Sequence, residues 1–247
     1  MISGSAQTQS WMPAPTPAVL EPGWAHIFRL SLDLPSTRLQ ALHVLLNSTE
    51  QERAARYHFD IDRQRFTAAR GQLREILAAY LNRPAQSLAF DYNPQGKPSL
   101  PETGLRFNLS HTQGIGLLAV TDGQEAGIDV EGINRRVDSP GIVRRFFAPA
   151  EVDALFALPE AQRQRAFFDC WTRKEAYIKA RGLGLSIPLD SFEVGLEPGI
   201  PPTLRAPDPG WYIYAIDPGP NFTAALVVEG AIQGMRYWDW GGERIYH

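Results

Sequence analysis

From Trp24 to Leu32 the chain alternates, with His26, Phe28, Leu30 and Leu32 on one side and Ala25, Ile27, Arg29 and Ser31 on the other. That two-residue period predicts a strand. The period then lengthens. Leu39, Leu42 and Leu46 stand at helical spacing and predict a helix over 36–46. A second short helix is expected over Glu50 to Tyr57, capped by Ser48 with Gln51 as its reciprocal partner. A longer stripe of Phe66, Ala69, Leu73, Ile76, Leu77 and Tyr80 predicts a third helix, capped by Asp62 and ended by Asn82-Arg83-Pro84. Arg63, Arg65, Arg70 and Arg74 decorate it, as a solvated face ordinarily would. A turn-rich loop follows over 91–101. Three strand patterns at 105–109, 115–120 and 126–130 come next, with Asp122-Gly123 as a turn signal, and suggest an antiparallel meander.

The second half repeats the order. A short helix is expected over Ile142 to Phe147, and another is opened by Pro149 and Ala150. A long helix over Phe167 to Gly184 follows. Its apolar stripe is Phe167, Trp171 and Ile178, with Cys170 and Tyr177 beside it, and Gly182 and Gly184 stop it. Strands at 191–196, 211–216, 222–228 and 232–240 close the chain. Strand, helices and strands thus occur twice. The expected fold is α+β, as two similar lobes at 23–122 and 123–247, after a flexible N-terminal extension at 1–22.

Composition narrows the class. The 247 residues are 44% hydrophobic and 21% charged, an ordinary globular balance with a formal net charge of −3. No global basic footprint points to nucleic acid as the main partner. One cysteine rules out an intramolecular disulfide framework. No apolar run reaches the roughly 18 to 20 residues of a membrane span. The first residues carry prolines and no basic region, unlike a signal peptide, so the cytoplasm is the expected location.

The chemistry-bearing residues begin with Asp129 and Glu131. Two apart in a strand, they project from one face. Neighbouring carboxylates repel unless a cation lies between them, and a hard dication such as Mg2+ is the simplest neutraliser. Glu175 of the long helix could supply a third carboxylate. Glu175 and Lys179 share a helix face, and Lys174 stands beside them, so carboxylates and ammonium groups together suit a bound pyrophosphate. Lys97 sits on the turn-rich loop, where a lysine is either an anion contact or an ordinary surface residue. Cys170 reads as core and not as a nucleophile.

Four motifs carry a resemblance: Gly96-Lys97-Pro98; Phe107-Asn108-Leu109-Ser110-His111; Gly127-Ile128-Asp129-Val130-Glu131; and Trp171-Thr172-Arg173-Lys174-Glu175-Ala176 with Lys179. In this order the chain resembles the broad-specificity 4′-phosphopantetheinyl transferases named after the surfactin-synthetase activator, over roughly residues 48 to 195. The resemblance implies two α+β lobes related by a pseudo-twofold axis, with coenzyme A in the cleft between them. It implies transfer of the phosphopantetheine arm to a carrier-protein serine, with release of 3′,5′-ADP. Asp129, Glu131 and Glu175 match the family's Mg2+ ligands, with Mn2+ also possible. Glu175 matches the proposed general base, and Lys179 would steady it and the leaving phosphate. Lys97 and His111 match contacts to the 3′-phosphate side of coenzyme A, with Ser110 beside them. Arg53 falls near a basic position of the family, and Lys174 stands with the phosphate-side set.

The implied partners are acyl and peptidyl carrier proteins of fatty-acid, polyketide or non-ribosomal peptide synthesis. Their acidic surfaces ask for a basic and apolar docking face. The candidates are Arg144, Arg145 and Phe146, with Arg163 and Arg165. A chain of this length resembles the duplicated class that works as a monomer. Two alternatives remain: a non-catalytic coenzyme A-binding homologue, and a carrier-protein-binding scaffold.

Overall fold

The computed structural model describes residues 9–15, 19–134, 140–197 and 199–240. The layering starts at strand β2 (Trp24–Ser31), whose two faces are both buried. Phe28 and Leu30 join one apolar cluster with Leu73, Ile76 and Leu77. Ala25 and Ile27 join another with Leu117, Ala119, Ile128 and Leu226. A strand with two apolar faces has to sit in the middle of a stack.

The first sheet runs β1 (Met12–Pro13), β12 (Gly234–Asp239), β2, β6 (Ile115–Asp122), β5 (Leu105–Thr112). The second runs β10 (Trp211–Ile216), β11 (Phe222–Glu229), β7 (Ala126–Gly132). Each lobe has its own helices: α1 (Ser36–His43), α2 (Ser48–Ala55) and α3 (Asp60–Leu81), then α4 (Pro140–Phe146), α5 (Pro149–Ala157) and α6 (Glu160–Arg181). Two small hairpins complete the set, β3 (Asp91–Tyr92) with β4 (Pro98–Ser99) and β8 (Glu193–Val194) with β9 (Leu204–Arg205). Helix α3 covers the outer face of the first sheet and α6 that of the second, while the inner faces pack on each other. The topology repeats. In one lobe β6 lies between β2 and β5, antiparallel to both; in the other β11 lies between β7 and β10, antiparallel to both.

Several expectations change. The meander stops after β5 and β6, because both edges of β6 are taken by β2 and β5. Strand β7 therefore starts the second sheet, paired with β11. Strand β12 leaves the second lobe and joins the first sheet, parallel to β2. Of the N-terminal extension, residues 1–8 and 16–18 lie outside the described residues. Within the rest, Met12 and Pro13 pair with β12, and the Trp11 indole donates to the Asp217 carbonyl at 2.9 Å.

Helix α2 is capped one residue earlier than expected. Asn47 Oδ1 accepts from the Glu50 amide at 2.9 Å and Glu50 Oε2 from the Asn47 amide at 3.0 Å, so the reciprocal pair is not Ser48 and Gln51. The register turns Glu50 inward, where Arg74 donates to it at 2.7 Å and Arg70 also pairs with it. Arg70 and Arg74 are thus buried ion partners, and only Arg63 and Arg65 keep the outer positions expected of all four. Helix α3 begins at Asp60 without a side-chain cap, two residues before Asp62. Helix α6 begins seven residues before Phe167 and ends as expected at Gly182, in the left-handed region at φ +65°.

Candidate functional site

The site forms where α6 lies against β7, and Gly127 permits that approach. A Cβ there would fall on the Ala176 carbonyl oxygen and the Ala180 amide nitrogen, and 2.8 Å from the Ala180 Cα. Two residues along β7, Asp129 is buried, 4% exposed. Its Oδ1 accepts from Lys179 Nζ at 2.6 Å and from Ser110 Oγ at 2.9 Å, and Lys179 also donates to Ser110 Oγ at 3.1 Å. Asp129 Oδ2 is buried with no hydrogen-bond partner, an orphaned polar atom of the kind that calls for an explanation. The three residues come from three elements: β5, β7 and α6. Asn108 holds the two strands together across the lobes, its Oδ1 accepting from the Ile128 amide at 2.9 Å.

Glu175 faces this group from α6. Its carboxyl is held above the ordinary value, first by burial, then by the charge of Asp129, and further by Glu131, against the opposing pull of Lys179. Glu175 therefore feels the charge of both other predicted carboxylates. Across the rim, His111 is exposed to solvent at its edge, and its pKa is held below the ordinary value, first by partial desolvation of the ring and then by the cations Lys179 and Arg53. Arg53 projects from α2 of the first lobe, with its guanidinium 5.3 Å from the Phe66 ring. An imidazole whose charged form is disfavoured by two nearby cations marks a locally positive rim, which suits a polyanion.

Two family models match the chain. The 4′-phosphopantetheinyl transferase superfamily matches residues 125–227, and the N-terminal model of 4′-phosphopantetheinyl transferase matches residues 35–122. Over 233 residues the chain is 40% identical to the 4′-phosphopantetheinyl transferase HetI of Nostoc sp., covering 93% of this chain and 98% of that one. The chain belongs to the 4′-phosphopantetheinyl transferase superfamily. It is also 30% identical to the 4′-phosphopantetheinyl transferase Sfp of Bacillus subtilis, covering 70% of this chain and 79% of that one. A solved holo-(acyl-carrier-protein) synthase from Bacillus anthracis, in complex with CoA (3′,5′-ADP), overlays 43% of this chain and 96% of its own at 22% identity, with a TM-score of 0.38.

Two lysines of this transferase do not stand where the motifs suggested. Lys174 is 0% exposed. Its ammonium pairs with Glu151 at 2.7 Å and donates to the carbonyls of Leu189 at 2.7 Å and Phe192 at 2.8 Å. All three protons are used inside the core of the second lobe, so Lys174 is a structural post and not a phosphate contact. A signal for this was present: Cys170, Tyr177 and Ile178, four before and three and four after it on the helix, are all core residues. Lys97 is likewise engaged, donating to Glu125, Ala126 and Ala180. Cys170 is buried in the core and its thiol is held well above its ordinary pKa, mainly by burial. Gly127 and Asn108 both lie within the quoted motifs, but their local spacing carries no sign of the close approach or the cross-lobe hydrogen bond they provide.

The raised pKa of Glu175 has a measurable consequence. The unfolded carboxyl titrates near 4.5 and the folded one higher, so the folded state binds the proton more tightly. Stability is therefore greatest below pH 4.5 with respect to this group and is lost as pH rises through the folded value. Glu175→Gln should raise the stability of the metal-free protein at pH 7, and the gain should shrink as pH falls towards 4.5. Urea denaturation across that range reads it. A gain that does not vary with pH would show that the Glu175 carboxyl is not held above its ordinary value, by burial first and neighbouring carboxylates second.

Proposed function

We propose that this transferase moves the 4′-phosphopantetheine arm of coenzyme A to a serine hydroxyl of an acyl or peptidyl carrier protein, with release of 3′,5′-ADP. The observation that carries the site assignment is Asp129: one oxygen tied to Lys179 and Ser110, the other buried and orphaned, with Glu175 and Glu131 acting on the same region. This donor set fits a hard dication. Asp129, Glu131 and Glu175 would hold Mg2+, or Mn2+ with the same oxygen chemistry. Among the described residues no three acidic, imidazole or thiol side chains are already gathered closely enough to hold a metal ion between them, so Asp129, Glu131 and Glu175 would have to draw together on it. When bound, such an ion neutralises the carboxylates and stabilises the charge that grows on the phosphate oxygens.

The chain's own residues supply the rest. Glu175 takes the proton from the serine oxygen as that oxygen bonds to the pantetheine-bearing phosphorus. The bond from that phosphorus to the bridging oxygen breaks, and 3′,5′-ADP leaves with the electron pair. Lys179 fixes Asp129 and donates to the leaving phosphate, and Arg53 and His111 receive the nucleotide's phosphate charge.

For the carrier, Arg144 and Arg145 of α4 remain available, Arg145 lying 5.3 Å from the Phe146 ring. Arg163 is turned to the Leu158 and Phe156 carbonyls, and Arg165 pairs with Asp169 at 3.1 Å. The enzyme works as a cytoplasmic monomer in this reading. The monomer is supported by both walls of the site being built within one chain.

The test is intact-mass spectrometry of an apo carrier protein incubated with the enzyme, coenzyme A and Mg2+. The carrier should gain one phosphopantetheine mass, and the gain should vanish with EDTA. No gain with several carriers, alongside measurable coenzyme A binding, would favour the non-catalytic homologue instead.

A further inference from the structure

The turn between β3 and β4 belongs to the first lobe, yet its side chains end on the helix of the second. Lys97 Nζ donates to Glu125 Oε2 at 2.6 Å, to the Ala126 carbonyl at 3.1 Å and to the Ala180 carbonyl at 2.9 Å. An ammonium has three protons, and none is left for a ligand. Asn93, at the other end of the turn, donates Nδ2 to the Gly182 carbonyl at 2.6 Å. Its Oδ1 accepts from the amides of Gln95 at 3.0 Å and Lys97 at 2.8 Å, which fixes the turn that presents Lys97.

Two of the receiving groups are the Ala180 carbonyl in the last turn of α6 and the carbonyl of Gly182, which ends it; the other two, Glu125 and Ala126, stand at the start of β7, the strand that α6 packs on. The helix-end carbonyls have no partner within the helix and carry the negative end of its dipole, so a lysine there both caps and attracts. The fit is close. A Cβ on Gly182 would lie 3.1 Å from Asn93 Nδ2 and 3.2 Å from the Lys97 side chain. Lys179 directly precedes the capped Ala180, and Glu175 lies about one and a half turns before it.

We propose that Asn93 and Lys97 are positioning residues: a turn of one lobe clamps the C-terminal end of α6 in the other and so fixes Glu175 and Lys179 against Asp129. Lys97 then touches no substrate, and its effect on transfer runs through the helix. Displacement of reacting groups by about an ångström costs on the order of a hundredfold in rate. The claim about transfer rests on the proposed function, whereas the clamp itself does not.

The experiment compares wild type with Lys97→Met and Asn93→Ala, using coenzyme A and 3′-dephospho-coenzyme A as donors to an apo carrier. Both variants should lose tenfold or more in kcat, with KM for coenzyme A moved less than threefold and the preference between the two donors unchanged. Hydrogen exchange of the amides over 178–182 should quicken at least tenfold, while those in β6 stay protected. A tenfold rise in KM for coenzyme A with kcat retained, and loss of the preference, would overturn the proposal and make Lys97 a phosphate contact. Unchanged exchange over 178–182 would overturn it as well. Should Lys97→Met fail to fold, Asn93→Ala carries both readouts. If wild type itself transfers nothing, the proposed function fails, and the exchange measurement still decides whether the turn clamps the helix.

Discussion

Asp129→Asn should cut carrier modification by about a thousandfold, roughly 4 kcal/mol of lost charge stabilisation, and leave the fold standing. The variant keeps the shape of the side chain and an oxygen that can still accept from Ser110 and Lys179. What it loses is the charge at the buried, orphaned oxygen. Lys179 remains partly open to water, so the change does not strand a fully buried cation. Two measurements separate the causes. Single-turnover transfer reads the chemistry. The rise of Tm on adding Mg2+ reads the ion, and it should be present in the wild type and lost in the variant. Turnover near the wild-type rate would end the assignment of Asp129 to the metal site.

Gly127→Ala should destabilise the protein by about 3 kcal/mol or more and take activity with it. The added methyl would meet backbone atoms of Ala176 and Ala180, which have no rotamer to escape into. Relief requires α6 to move away from β7, and that movement carries Glu175 and Lys179 from Asp129. Chemical denaturation gives the first effect and residual transfer under folding conditions the second. A loss of stability under 1 kcal/mol would mean that helix and strand can part cheaply, and the close approach would then carry no weight.

The elements were largely legible because their periods are local. The strand expected over 211–216 is found at those bounds, and β2 differs from its expectation by one residue. The common face of Asp129 and Glu131 follows from strand alternation, and the face shared by Glu175 and Lys179 from helical spacing. What failed was whatever depends on a distant partner. Arg70 and Arg74 looked like a solvated face because Glu50, about twenty residues upstream, gives no local sign of turning inward. Lys174 and Lys97 looked free for the same reason: Glu151, Glu125 and the receiving carbonyls are brought to them only by the fold. The meander was misjudged because strand spacing says nothing about which sheet edges are already taken.

The two lobes repeat each other in the order of their strands, yet they are not interchangeable. Strand β12 is made by the second half and used by the first, where it flanks β2. A chain assembled by simple doubling would give each half its own complement of strands. Here one half has ceded a strand to the other, so the first sheet is complete only when the whole polypeptide is present. Unfolding of the first sheet should therefore involve the C-terminal strand of the second half as well.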